Sequence, residues 1–427
     1  MQLFAHLAAA VVIAASAAVA PLAAAERFVA PGSDLQEIVR AAAAGDVLRL
    51  GAGRHQGPVT LDKPLTLQGE AGAVVVGPGT GSTITVTAAD VRIEGLTLRG
   101  SGRDLPAMDS GILATRTATR LAVVGNRFEG NLFGVYLHGA ADSRVEGNWI
   151  RGRQDVRLSE AGNGVSIWNA PGAAVIGNDI AEVRDGIFVN TSKRNAFLDN
   201  RFARLRFAIH YMYTHDSRIV GNRSEGNHVG WAIMFSDNLE IRDNVSLGDR
   251  DHGLMLNYAN RSSVTGNLVR GGGEKCLFIY NAHRNRIEGN RFEGCPIGIH
   301  FTAGSERNQV TGNAFIGNRT QVKYVGTRYV EWSHEGRGNY WSDNPAFDLD
   351  GDGIADKAYR PNDMMDDILW RYPQAKLLLN SPAVEALRFA QSRFPALKPG
   401  GVRDSAPLMA PPALPHPERG TTSEADS

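Results

Sequence analysis

Cysteine is almost missing: two residues, Cys276 and Cys295, in a chain of 427. A disulfide framework therefore does not hold this protein together, and at most one bridge can form in an oxidising compartment. Net charge is missing as well, with 45 Lys and Arg against 45 Asp and Glu. That balance excludes an electrostatic nucleic-acid binder and gives no polybasic patch for an anionic membrane. After residue 25 no apolar run is long enough to span a bilayer. The first 25 residues are nearly uncharged, rich in Ala, Val, Ile and Leu, and end with small residues at Ala23 and Ala25. They read as a secretory signal peptide cleaved after Ala25, leaving a soluble, exported chain; a retained membrane anchor is the alternative, against which the run is short and dominated by Ala.

Glycine, by contrast, is abundant at 48 residues, which points to many tight turns. The turns are periodic. Gly-Asn or Asp-Asn recurs at Asn126, Asn148, Asn178, Asn200, Asn222, Asn244, Asn267, Asn290 and Asn313, in steps of 22 or 23 with one of 30. The long step holds an inserted segment at 152–163. Aliphatic and aromatic residues recur in register between the asparagines. A period near 22 built from short β-branched runs predicts an all-β fold, a right-handed parallel β-helix. Turns pair at about 4.8 Å, so equivalent side chains stack in files. Stacked asparagines tolerate the left-handed turn and can form an amide ladder.

The sequence divides into a signal peptide (1–25), the β-helix (26–343), a C-terminal extension (344–395) and a Pro-rich tail (396–427) expected to be disordered. Ser33 is the expected N-cap of a short helix carrying Leu35, Ile38 and Val39, which would cover the first turn. Residues 46–125 read as irregular early turns. Residues 338–344 read as a last partial turn, and 381–394 as a helix.

Alternation places some unusual side chains outward. One outer file reads Tyr136, Ser166, Phe188, His210, Met234, Met255, Phe278 and His300. Its neighbour reads His138, Trp168, Asn190, Met212, Ser236, Asn257, Tyr280 and Thr302. Three explanations fit such a strip: a C-terminal segment folded over it, a protein-docking surface centred on Trp168, Phe188, Phe278 and Tyr280, or a soft-metal site. Imidazole and thioether favour Cu(I), with His210, Met212, Met234, Met255 and His300 as ligands. Without a compact His-x-x-x-His motif, copper binding is expected to be transient.

Asp348, Asp350, Asp352 and Asp356, with Gly353, resemble the start of a calcium loop, although Tyr359 stands where a bidentate Glu would close it. A solvated acidic turn is the alternative. Asp249, Asp251 and His252 could serve general acid–base chemistry, but polar residues are ordinary in such turns. No Arg–Asp cluster of the kind a lyase needs is visible in the sequence.

Together, the leader, the amphipathic cap, the Gly-Asn turns, "GNYWSDNPAFDLDGDGIADKAYRP" and the helix "SPAVEALRFAQSRFP" resemble NosD-type maturation proteins of nitrous oxide reductase. The likeness covers roughly residues 26–396, and its specific part runs from Gly338 to Pro395. It implies a periplasmic, non-enzymatic accessory protein. Such a protein works with an ABC-transporter permease, its ATPase and a copper chaperone lipoprotein on the copper–sulfide centre of apo nitrous oxide reductase. Under that resemblance, residues 364–395, with Ile368, Leu369, Trp370 and Leu377–Leu379, are expected to dock on the permease, and the strip to face the chaperone or the apo-reductase. The alternative is a secreted polysaccharide lyase or epimerase, or a carbohydrate-binding β-helix protein.

Overall fold

Each turn of the repeat lays one strand into each of three parallel sheets, of 13, 12 and 13 strands. The computed structural model describes residues 24–302, 304–326, 328–362, 368, 372–378, 381–393 and 400–414. The leader lies mostly outside the described residues. Regular winding starts at once: Glu26–Val29 pairs with Val47–Leu50, and Arg92–Glu94 with both Thr66–Gly69 and Ala122–Val124. The expectation of irregular turns over 46–125 is corrected. Irregularity lies instead in two loops, 102–109 and 152–163.

The Gly/Asp-Asn signature has a conformational cause. The residue before each ladder asparagine is Gly125, Gly147, Gly177, Asp199, Gly221, Asp243, Gly266, Gly289 or Gly312, and all have φ between 54° and 68°. Gly and Asp are residues that reach this region at small cost. The following asparagine then turns inward. Backbone N and Nδ2 of each donate to Oδ1 of the next, at 2.8–3.2 Å throughout. Asn339 adds one more step, at 3.1 and 2.9 Å from Asn313.

Two inner files of the second sheet make much of the core. They are Val135, Val165, Ile187, Ile209, Trp231, Leu254, Leu277 and Ile299, and Leu137, Ile167, Val189, Tyr211, Ile233, Leu256, Ile279 and Phe301, all buried. Trp231 and Ile233 hold these places because the turn is set two residues earlier than the outer-file positions of Met234 and Ser236 predict. Trp231 fits inside because Ser224 and Ser246 occupy the third-sheet file that holds Phe202 one turn before. The smaller side chains leave the volume an indole needs.

The ends are covered. Helix Leu35–Ala41 buries Leu35 and Val39; its N-cap is Asp34, not Ser33, and Asp34 accepts from Glu37 N. At the far end Gly401–Arg403 pairs with Tyr329–Glu331, and Leu408 bridges to Tyr340 and Ile354. Residues 400–414 are thus folded onto the last turn, correcting the expectation of disorder for that part of the tail; 415–427 lie outside the described residues. Cys276 and Cys295 form a disulfide, with Cα atoms 5.7 Å apart.

Candidate functional site on the outer face of the second sheet

The register fixes which outward residues meet. One file runs Tyr136, Ser166, Phe188, His210, Ala232, Met255, Phe278, His300 and Lys323; beside it run His138, Trp168, Asn190, Met212, Met234, Asn257, Tyr280 and Thr302. Met234 therefore stands next to Met212, not next to His210 as the sequence suggested, and Ala232 takes that place. Ser236 is buried two residues beyond the strand end at Met234, where its Oγ accepts from Thr214 N at 3.1 Å.

This shift gathers four soft-donor residues around one small side chain. Ala232 faces outward yet is completely buried. His210 and Met255 flank it on the adjacent strands, Met234 lies two residues along its own strand, and Met212 lies diagonally. With strands about 4.8 Å apart and two residues spanning about 6.6 Å, all four Cα atoms lie within about 8 Å of Ala232. Three thioethers and an imidazole can converge over one methyl group, and this neutral, soft donor set suits Cu(I). His300 stands three strands away and does not belong to the same cluster.

His210 has its polar contacts at Nδ1, to Asp185 and, at 3.5 Å, to Arg206 Nη2. Its Nδ1 lies 3.1 Å from Asp185 Oδ2, and its ring packs between Phe188 and Phe207 at 5.0 and 4.9 Å. Arg206 donates to Asp185 through Nε and Nη2 at 2.8 and 2.6 Å. Burial pushes the fully enclosed Asp185 carboxyl up, but the hydrogen bonds from His210 and Arg206 outweigh it and hold the group below its usual range. An Arg–Asp–His cluster thus exists where the sequence showed none, because its members come from different turns.

A second group surrounds Phe278. His252 and His300 lie 5.5 and 4.9 Å from its ring, and Lys275 Nζ sits 5.0 Å above it. Burial, aided by Lys275, lowers the His252 pKa; burial, with Lys323 and Lys275, pushes His300 down to about 4. Asp251 pairs with His228 at 3.1 Å. Asp249 leaves this region altogether. It is buried inside the coil, accepting from Asn227 N, Ser224 Oγ and Ser246 Oγ. The sequence treated it as a turn residue and missed this interior role, for which the two serines in an apolar file were the available signal.

Along one edge of the strip Tyr213, Phe235 and Tyr258 stack at 5.1 Å steps, each with φ near 50°. Bulky residues rarely adopt that conformation. His138 stacks on Trp168 at 4.6 Å. Trp168 and Tyr280 are exposed, Phe188 and Phe278 half-buried. The described C-terminal strand pairs with Tyr329–Glu331 at the last turn.

In the acidic loop, donor oxygens of Asp348, Asp350 and Asp352 lie within 4.8 Å of one another. Asp356 closes the loop by accepting from Leu349 N at 2.8 Å. Of the expected docking segment, Ile368 is half-buried, Leu377 and Leu378 are exposed, and helix Pro382–Arg393 buries Val384. Leu369, Trp370 and Leu379 lie outside the described residues.

Fold and site together define a parallel β-helix with a soft-donor outer face. Residues 148–346 match the family model described as "Periplasmic copper-binding protein (NosD)". The chain is 43% identical over 378 residues to a "Probable ABC transporter binding protein NosD" of Stutzerimonas stutzeri, covering 85% of this chain and 87% of that one. It is 45% identical over 377 residues to the protein of the same description from Pseudomonas aeruginosa, covering 85% and 88%. The chain belongs to the NosD family. Among solved structures, the A-module of the Azotobacter vinelandii mannuronan C-5 epimerase AlgE6 matches with TM-score 0.52 and 12% identity, over 68% of this chain and 90% of that one. A Yersinia enterocolitica family 28 exopolygalacturonase matches with TM-score 0.55 and 12% identity, over 68% and 73%. These likenesses show the fold alone. Among the described residues no helix is long and apolar enough to cross a membrane.

Proposed function

We propose that this protein is a periplasmic copper-handling component of an ABC-transporter complex that supports assembly of the copper–sulfide centre of nitrous oxide reductase. Its work is binding and delivery, not catalysis. The carrying observation is the cluster around Ala232, where His210, Met212, Met234 and Met255 share neighbouring outward positions and offer neutral soft donors to a transient Cu(I) cargo. The exposed aromatics beside it, Trp168 and Tyr280, supply the rigid apolar contacts that favour docking of a copper chaperone lipoprotein or the apo-reductase. The descriptions of the two relatives support the transporter association, and residues 364–395, with exposed Leu377 and Leu378, are assigned to the permease.

The test replaces Met212, Met234 and Met255 with Leu, which conserves volume. Cu(I) affinity of the purified protein should fall at least 10-fold, and the reductase matured beside the variant should lack its copper–sulfide centre. Unchanged copper binding refutes the site. Deleting 364–395 should release the protein from the transporter; retention refutes that docking assignment.

A further inference from the structure

The cargo reading leaves one group unexplained: a carboxylate fully buried beneath an outer surface. Asp185 is completely enclosed, and its partners are Arg206 and His210. Register gives this arrangement a direction. Asp185 pairs with Phe207, three residues before His210, whereas Met212 follows His210 by two and pairs with Met234. The carboxylate and the thioethers therefore lie on opposite sides of the imidazole along the strand. Nδ1 faces the acceptor Asp185 Oδ2 at 3.1 Å, closer than Arg206 Nη2 at 3.5 Å, so Nε2 is the ring nitrogen left for a ligand.

Resting on the cargo reading, we propose that Asp185 is a positioning residue. It holds His210 with the proton on Nδ1 and presents Nε2 as the nitrogen donor to the cluster. A ligating imidazole commonly gives its other N–H to a carboxylate, which fixes tautomer and ring orientation and raises basicity. Phe188 and Phe207 pack against the ring and restrain it. Arg206 has a second effect. Its guanidinium neutralises Asp185, leaving the cluster with uncharged donors only. Such a set stabilises a soft monovalent ion but offsets little of the dehydration cost of a divalent one. The device thus selects Cu(I) or Ag(I) over Zn(II).

Full-length mature protein labelled with 15N at histidine tests this, with Ag(I) as a redox-inert probe. In the metal-free protein His210 should be the Nδ1–H tautomer, and added Ag(I) should couple to Nε2 with the Nδ1 proton retained. Asp185→Asn presents an amide that can donate to Nδ1 and favour the other tautomer; Ag(I) affinity should fall about 10- to 100-fold and Asp185→Glu should restore part of it. Zn(II) should not compete. An Nε2–H tautomer in the wild type, silver on Nδ1, or unchanged affinity in folded Asp185→Asn overturns the proposal. If Asp185→Asn does not fold, the wild-type tautomer decides. Loss of binding in the methionine variants with none in Asp185→Asn sinks only this inference, whereas intact binding in both sinks the cargo reading.

Discussion

Asp404 accepts hydrogen bonds from Asn339 N at 2.7 Å and from Trp341 Nε1 at 2.8 Å, so a residue of the C-terminal tail closes the asparagine ladder 65 positions away. An open last turn would leave these donors buried without partners.

Asp404→Ala should therefore lower the melting temperature by a margin corresponding to about 2–4 kcal/mol, since two buried donors lose their acceptor. Truncation before residue 400 should do at least as much. Thermal denaturation followed by circular dichroism checks both, and a melting point within a degree of wild type would contradict the capping role.

Mid-ladder, Asn222 accepts from Asn200 N and Nδ2 and donates to Phe197 O and Asn244 Oδ1. Asn222→Ala strands several buried polar groups, and chemical denaturation should show a loss of at least about 2 kcal/mol. Substituting an exposed strand residue such as Arg201 should cost far less.

Asp249 gives a pH signature. Burial pushes its carboxyl up to about 6 from an ordinary 3.8, against the hydrogen bonds of Ser246, Ser224 and Asn227. A folded pKa above the unfolded one means stability is fully present below about pH 4 and lost as pH rises through 6. Asp249→Asn, which keeps the shape and removes the charge, should be more stable than wild type at pH 8 by about 1–3 kcal/mol. That advantage should vanish towards pH 4. His300, held neutral down to about 4, acts in the opposite sense on acidification, so the difference between wild type and variant is the quantity to measure. A constant difference across pH would remove Asp249 as its source.

The oxygen cluster of Asp348, Asp350 and Asp352 is proposed to hold a structural calcium ion that steadies the C-terminal extension. Calcium titration should then raise the melting temperature, and Asp348→Asn with Asp352→Asn should abolish the shift. No shift in wild type leaves a solvated acidic turn.

Much of this architecture can be read directly from residues. The Asn126 to Asn313 series sets the turn length, and left-handed φ values at the preceding Gly or Asp explain why few residue types serve there. The outward position of Met212, Met234 and Met255 follows from strand alternation. The register read from sequence fails at Trp231, which enters the inner file and moves Met234 out of the file of His210. Ser224 and Ser246 were visible as exceptions, but their meaning, space for an indole and partners for Asp249, emerges only when facing sheets are packed together.

The sequence by itself determined the coil, its inner asparagine ladder and the inside-outside parity of each strand. These are local, repeating properties of backbone conformation and hydrophobic period. Only the tertiary structure decided that Ala232 is surrounded by three methionines and His210, that Asp185 stands behind that histidine, and that Asp404 ends the ladder. Those relationships join different turns, and their register depends on side-chain volume filling a shared interior, which no single repeat contains.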